Sequence, residues 1–327
     1  MNLANVVEVK LKIKFNVRVS IMKKIIALLL GIVLIIFAFF HYNKESLVQN
    51  DKLFVEDFKG KNDSYKIQAA INKAESSKIK TVLLDDKKYK VTSPIIVKQG
   101  VKLLFGYGTQ FVVEGNFRVL ELEKNASIEG AYIAINDPKF NSEVIYLDGK
   151  NKYYNTWNKT QIKDINIINW SETNKGTGIS LFTGGKENEI SFINFDNIKV
   201  AGMETGLKLI AKKPKSGHAW INANRFMNFS LEDCVNMIYM DSNLTTPNEI
   251  SGNQFTNLQI QPSSKTKNIL RVSGQHNEFN GMVWDLQKIN HENELIELTD
   301  KSMNTTIDIT SVPTSRVLDS GKANIVK

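Results

Sequence analysis

Short segments in which one outward-facing residue stands between two apolar ones recur along the chain and predict a repeating β structure. Seven of these segments are spaced 25–34 residues apart. They are Leu120-Glu121-Leu122, Ile145-Tyr146-Leu147, Ile179-Ser180-Leu181, Leu207-Lys208-Leu209, Ile238-Tyr239-Met240, Leu270-Arg271-Val272 and Ile296-Glu297-Leu298. Further short apolar runs follow each segment, so one repeat holds three strands. Such a coil buries its apolar side only by stacking on the next coil, about 4.8 Å away.

This pattern predicts an all-β fold, a right-handed single-stranded parallel β-helix with a short N-terminal capping helix. A β-sandwich also alternates apolar and polar positions, but it does not explain the long phased repeat. An asparagine two residues before an apolar residue recurs within four repeats, at Asn188, Asn224, Asn253 and Asn277. Asparagine tolerates the left-handed backbone of a sharp corner, and its amide can bond to its counterpart one coil away. We therefore expect an asparagine ladder at one corner.

The start of the domain has a helical period instead. Four apolar residues recur at the spacing of one helix face: Ile67, Ala70, Ile71 and Ala74. This stripe predicts a helix over 64–75, with Asp63 or Ser64 as its N-cap. Three short strands are expected to follow it, at 81–84, 89–91 and 95–97. No further helix is predicted after residue 100.

A positively charged pair and an apolar stretch precede the domain. Lys23-Lys24 stand before sixteen apolar residues, Ile25 to Phe40. This order predicts a signal anchor or a signal peptide over 22–42, and a buried core helix is the remaining alternative. Because positive residues stay on the cytoplasmic side, the remainder would lie outside the cell. The expected location is the cell membrane, single-pass with the β-helix extracellular, or secreted if the leader is cleaved.

The remaining boundaries follow from these segments. Residues 1–21 are either an extension upstream of a true start at Met22 or a cytoplasmic tail. Residues 43–52 are polar and form a stalk. The β-helix domain is expected over 53–327, with a cap at 53–112 and coils at 113–310.

Charge and cysteine content narrow the function classes. The formal net charge is +8, but six Lys/Arg and one acid fall in the first 41 residues, so the rest carries 36 basic and 33 acidic side chains. That balance argues against a nucleic-acid partner. The chain has one cysteine, Cys234, which excludes a disulfide framework and a zinc cluster built on several cysteines. No cofactor and no metal site are predicted, and Cys234 is expected to be buried and inert.

The cap sequence resembles that of the pectate-lyase-like (pectin lyase fold) superfamily. The similar segments are Val55-Glu56-Asp57-Phe58-Lys59-Gly60, Ile67-Gln68-Ala69-Ala70-Ile71 and the corner Gly106-Tyr107-Gly108-Thr109. The usual Pro-x-Gly-x-Tyr turn is replaced here by Asp86-Lys87-Lys88-Tyr89. The resemblance implies a β-helix from a superfamily of polysaccharide lyases, glycoside hydrolases and phage tailspike or appendage proteins. The family's paired aspartates are not matched, because Asp85-Asp86 lies in the cap.

The middle residues of the seven segments form the candidate site. Since their neighbours point inward, these residues point outward, one coil apart, in one row: Glu121, Tyr146, Ser180, Lys208, Tyr239, Arg271 and Glu297. We assign catalytic roles to Lys208, Tyr239 and Arg271, and substrate binding to Glu121, Tyr146, Ser180 and Glu297. In a lyase-like reaction, Arg271 or Lys208 would neutralise a uronate carboxylate, and Tyr239 or a lysine would abstract the adjacent proton.

The predicted function is a surface-anchored protein that binds an extracellular, acidic polysaccharide, either with or without cleaving it. The alternatives are a non-catalytic glycan- or cell-wall-binding module and a structural, phage-appendage-like surface protein. An ordinary solvent-exposed face also stays open for the row. Trp284 with Asp285 ends a third strand, where packing is the simpler interpretation and a cleft the alternative.

Overall fold

A computed structural model of the chain describes residues 22–37, 51–242 and 248–327. The chain divides into two compact units, Met1–Asp51 and Lys52–Lys327. In the first unit the structure describes one helix, α1, at residues 22–37.

The predicted membrane location is wrong. Within the described ranges, no helix is long and apolar enough to cross a membrane. Helix α1 has 16 residues, about 24 Å at 1.5 Å per residue, against about 30 Å for the hydrocarbon core. The finding overturns the single-pass localisation and leaves the predicted membrane contact unsupported. The other predicted N-terminal segments, 1–21, 38–42 and 43–50, lie outside the described residues.

The described residues of the second unit form one α-helix and 27 short strands. The helix, α2, is Asp63–Ser76, and single 3₁₀ turns lie at Val55–Asp57, Gly149–Asn151, Leu286–Lys288 and Thr314–Arg316. The strands are β1 Lys52–Phe54, β2 Thr81–Leu84, β3 Lys88–Val91, β4 Ile95–Val97, β5 Lys102–Phe105, β6 Gln110–Val113, β7 Leu120–Leu122, β8 Ser127–Glu129, β9 Tyr132–Ile135, β10 Glu143–Asp148, β11 Tyr153–Tyr154, β12 Gln161–Asn169, β13 Thr177–Thr183, β14 Asn188–Ser191, β15 Asn194–Ala201, β16 Thr205–Ala211, β17 Ala219–Asn222, β18 Arg225–Glu232, β19 Asn236–Ser242, β20 Asn248–Ser251, β21 Gln254–Gln261, β22 Asn268–Gln275, β23 Glu278–Val283, β24 Ile296–Met303, β25 Thr306–Thr310, β26 Val317–Asp319 and β27 Ile325–Val326.

Strands of successive coils pair in parallel and form three faces. The first face stacks β4, β7, β10, β13, β16, β19, β22, β24 and β26. The second face stacks β11, β14, β17 and β20 and joins the end of β22. The third face stacks β1, β2, β5, β8, β12, β15, β18, β21, β23, β25 and β27, with β3, β6 and β9 alongside. This confirms the predicted parallel β-helix.

The interior is filled by apolar side chains, and part of it is a column of identical rings. Four phenylalanines of the third face stack nearly parallel, with ring centroids 4.4–4.5 Å apart. They are Phe195, Phe226, Phe255 and Phe279. The separation of these rings matches the spacing of the coils, so each ring covers the next and excludes water from the core.

The predicted asparagine ladder forms, but with three members. Asn224 Nδ2 donates to Asn253 Oδ1 at 2.9 Å, and Asn253 Nδ2 donates to Asn277 Oδ1 at 3.0 Å. All three side chains are buried. Asn188 stands elsewhere, since it begins β14 and pairs with Ala219 of β17.

The backbone strain at this corner also differs from the expectation. The left-handed residues are Ala223, Gly252 and His276, each directly before a ladder asparagine. A second, exposed ladder on the third face does combine both features. Asp164 and Asn197 have φ near 55° and 54°, and Asn197 Nδ2 donates to Asp164 Oδ1 at 2.6 Å. This left-handed column bends the third face.

Helix α2 caps the stack. Its predicted apolar stripe is buried. The N-cap is Asn62, whose Oδ1 accepts from the Tyr65 N–H at 3.1 Å. Asp63 and Ser64 instead accept from the backbone N–H groups of Lys90 and Thr92, at 2.8 and 3.0 Å. The two predicted caps therefore attach the helix to β3 and the residue after it.

Candidate functional site

The structure places the seven predicted site residues in one continuous register on the first face. Each pairs with the next across adjacent strands, in the order Glu121, Tyr146, Ser180, Lys208, Tyr239, Arg271 and Glu297. The register continues into apolar residues at both ends, Ile96 and Leu318. The polar row is thus seven coils long, about 29 Å from first to last residue at about 4.8 Å per step.

Tyr146 and Ser180 form the floor of this face rather than its surface. They are only 5% and 4% exposed. The guanidinium of Arg118 covers Tyr146, with its carbon 3.7 Å from the ring centroid. Burial raises the pKa of Tyr146 to about 12, so its hydroxyl is protonated at neutral pH.

Arg118 is held in place by two carboxylates. Its Nε lies 3.2 Å from Glu143 Oε2, and its Nη1 lies 3.7 Å from Glu121 Oε1. Glu121, predicted to bind substrate, therefore belongs to this charged cluster at one end of the row. Because Arg118 stacks on Tyr146 as well, the cluster closes that end of the site.

An open groove of about 540 Å³ lies over the middle of the row. Its lining includes four of the predicted residues, Tyr146, Ser180, Lys208 and Tyr239. The same strands add Phe182, Ile210 and Asp241, which form the neighbouring outward column. Lys212 follows β16 and places its ammonium 5.8 Å from the Phe182 ring centroid. The groove therefore offers aromatic surfaces beside lysine side chains.

Arg271 and Glu297 lie at the far end of the row and pair with each other. Arg271 Nε is 2.9 Å from Glu297 Oε2. The Arg271 guanidinium carbon also lies 5.4 Å from the ring centroid of Tyr239. This end of the row thus brings together the guanidinium of Arg271, the carboxylate of Glu297 and the phenol of Tyr239. The Arg271 guanidinium already pairs with Glu297, so a ligand would have to share it.

Several groove residues were missed by the sequence reasoning. Phe182, Ile210 and Asp241 lie two positions after the row residues of their strands, beyond the three-residue repeat. Their alternation with buried neighbours was the available signal. Arg118 lies before β7 and had no such signal. Across the described parts of the chain, no group of three or more His, Cys, Asp or Glu residues is arranged to hold a metal ion.

Cys234 is fully buried, as predicted. Burial raises the pKa of its thiol to about 12, so the reactive thiolate is suppressed at neutral pH. This side chain belongs to the core rather than to the site.

No family model and no curated protein matches this chain. Among solved structures, it is similar to ORF18 of Geobacillus virus E2 at 15% identity and a TM-score of 0.39, over 87% of this chain and 62% of that one. It is also similar to the Streptococcus pneumoniae surface protein and adhesin PfbA (11% identity, TM-score 0.32, 84% and 100% covered). A third is the A-module of the Azotobacter vinelandii mannuronan C-5 epimerase AlgE6 (11%, 0.28, 84% and 99%). The parallel pairing of successive strands establishes the β-helix fold.

Proposed function

We propose that the first-face groove binds an acidic polysaccharide lying along the stack of coils. The observation that carries this proposal is the placement of Lys208 between Ser180 and Tyr239 in the row, inside the groove. A lysine there can bind a carboxylate, while the flanking aromatic rings offer faces to sugar rings. The row runs across successive coils, so an extended polymer meets one side chain per coil.

The charges of the groove favour an anionic ligand. Arg118 and Glu143 form an ion pair and offset each other. The other charged side chains that line the groove are Lys208, Lys212 and Asp241, which leaves one net positive charge. This excess favours an acidic glycan over a neutral one.

Membership of the pectate-lyase-like superfamily is part of the proposal. The corner that suggested it is built as a close contact: Thr109 Oγ1 donates to the carbonyls of Leu84 and Asp85, at 3.2 and 2.8 Å. A Cβ on Gly106 would lie about 2.1 Å from Asp86 Oδ1, so a larger residue would require the Asp86 side chain to move. These contacts explain why glycine and threonine occur at this corner. They support membership of the superfamily at the level of fold and assign no reaction.

A lyase reaction is the second candidate, favoured by the position of Tyr239 between two cations. Tyr239 pairs with Lys208 on one side and Arg271 on the other. A uronate carboxylate held by a cation makes the adjacent C–H more acidic. Tyr239 or Lys208, in its deprotonated form, would remove that proton, a carbon–carbon double bond would form as the carbon–oxygen bond breaks, and the leaving glycosidic oxygen would take a proton from water.

Binding is tested with the full chain, polygalacturonate and neutral dextran in titration calorimetry. We expect polygalacturonate to bind, with affinity falling as salt rises. Lys208→Ala should weaken binding about tenfold, the cost of one charge-assisted hydrogen bond. Lys78→Ala, in the loop after α2, is the matched control and should leave affinity unchanged. Unchanged affinity in the Lys208→Ala/Arg271→Ala double variant would remove this face from consideration.

The same samples distinguish a protein that only binds the polymer from a lyase that also cleaves it. Ultraviolet absorbance of unsaturated products reports cleavage, and Tyr239→Phe keeps the ring but removes the hydroxyl. If Tyr239 carries the proton, the variant binds normally and produces no unsaturated product. If wild-type protein binds without producing any, the groove is a binding site alone.

A further inference from the structure

Two exposed tryptophans lie just beyond the ends of two strands of the third face, four coils apart. Trp284 is 49% exposed, although the sequence favours packing for it, and Trp170 is 40% exposed. Trp170 follows β12 and Trp284 follows β23, and β15, β18 and β21 lie between. Four coil steps of about 4.8 Å separate them by about 19 Å along the stack.

Polar side chains line the surface between these two rings. The outward column consists of Tyr132, Asn166, Lys199, Ser230, Gln259 and Met282, each paired with the next. Tyr132 contacts Trp170 at one end, with ring centroids 6.3 Å apart. At the other end, a groove of about 400 Å³ joins Trp284 to Lys199, Ser230 and Gln259. The column therefore runs from Tyr132, which contacts Trp170, to the groove that Trp284 lines.

The charges within this groove are paired with each other. Lys199 Nζ lies 2.6 Å from Glu232 Oε2. Asp285 Oδ2 lies 2.7 Å from Lys288 Nζ and accepts from Gln261 Nε2 at 3.1 Å. The surface thus presents amides, a hydroxyl and neutralised ion pairs between aromatic rings, whereas Lys208 and Lys212 of the first-face groove form no ion pair among the described residues.

We infer that this column is a second polysaccharide-binding surface, one that takes an uncharged glycan chain parallel to the stack. Sugar rings stack on aromatic faces, and amide side chains bind hydroxyl groups without requiring charge. One unit of an extended glycan is about as long as one coil step, near 4.8 Å. A chain of five or six units therefore reaches both Trp170 and Trp284, whereas a disaccharide reaches one of them.

The four tryptophans make the inference directly observable. The full chain is labelled with 5-fluorotryptophan, and Trp→Phe variants assign the four fluorine resonances. Neutral hexaoses are then added: β-1,4-linked glucose, α-1,4-linked glucose and β-1,4-linked N-acetylglucosamine. We expect at least one hexaose to shift the resonances of both Trp170 and Trp284, and its disaccharide to leave at least one unmoved. Trp157 and Trp220 should not shift.

Affinity measurements supply the matched control. Trp284→Ala and Trp170→Ala should each weaken hexaose binding about tenfold, as expected for exposed aromatic anchors. Trp157→Ala removes the most exposed tryptophan, at 83%, and should change nothing. Lys208→Ala should also leave hexaose binding intact, which separates this surface from the first-face groove. The inference is overturned if none of the three hexaoses shifts Trp170 or Trp284, or if Trp157→Ala weakens binding equally.

Discussion

Two columns in the interior of the β-helix repeat the same side chain over several coils, whereas the first face changes its side chain at every coil. Inside, phenylalanine stacks on phenylalanine and asparagine bonds to asparagine. Outside, Ser180, Lys208, Tyr239 and Arg271 follow one another in the same register. Identical neighbours hold the register of the coils, and once that register is held the outer positions are free to differ. Stability therefore resides in the repeated columns, and the proposed recognition in the unrepeated ones.

Removing one ring from the phenylalanine column should have the largest effect. Phe226→Ala deletes the ring between Phe195 and Phe255 and leaves a cavity, so we expect the free energy of unfolding to fall by about 3–5 kcal/mol. Phe182→Ala, the same change in the groove, should cost no more than about 1 kcal/mol. Urea denaturation of both variants checks this. Equal losses would show that the outer face supports the fold as much as the interior.

These interior columns could be predicted from the sequence because the same residue recurs at the same position of successive repeats. Asn224, Asn253 and Asn277 were found in this way, and so was the register of the outer row, because each row residue is bracketed by apolar neighbours. Asn188 was wrongly assigned to the ladder because Asn188-Glu189-Ile190 has the same asparagine-polar-apolar pattern as the three corner segments. Its strand pairs instead with Ala219–Asn222. The pattern alone does not distinguish the start of a second-face strand from a corner.

The contents of the groove were less predictable for a physical reason. Arg118 covers Tyr146 from a segment outside the repeat, and its position depends on the path of the chain before β7. Trp170 and Trp284 likewise stand just past the ends of their strands, where periodicity no longer indicates direction. Such residues become neighbours only when the coils stack, and the order of residues along the sequence does not indicate which of them will meet.

The asparagine ladder provides the second test. Asn253→Ala removes the acceptor of two Asn224 N–H groups and the donor to Asn277, all of them buried. Leaving these groups unsatisfied should lower the free energy of unfolding by about 2 kcal/mol. Asn166→Ala, at an exposed position in β12, should change it by less than about 0.5 kcal/mol. If the two variants unfold at the same urea concentration, the buried ladder does not stabilise the stack.

The pH dependence of the free energy of unfolding tests whether the hydroxyl of Tyr146, at the floor of the first face, is buried. Burial favours its protonated form, and its pKa of about 12 exceeds the ordinary value of 10. Its contribution to stability is therefore fully present below pH 10 and is lost as the pH rises toward 12. Tyr146→Phe has no hydroxyl to titrate, so the stability difference between wild type and variant should be constant up to pH 10 and then shift against the wild type. A constant difference up to pH 12 would mean that the hydroxyl is not buried.

The smallest effect on stability is expected at the far end of the row, where binding should change instead. Glu297 pairs with Arg271 at a partly exposed site, so Glu297→Gln should alter the free energy of unfolding by less than about 0.5 kcal/mol. The same change frees the guanidinium and removes a negative charge from the path of an acidic glycan. Affinity for polygalacturonate should therefore rise by about threefold, with a steeper dependence on salt. Glu278→Gln on the third face is the control for loss of one negative charge and should not raise affinity. A gain in both variants would indicate general attraction between the polymer and the protein, and a gain in neither would place the polymer away from Arg271.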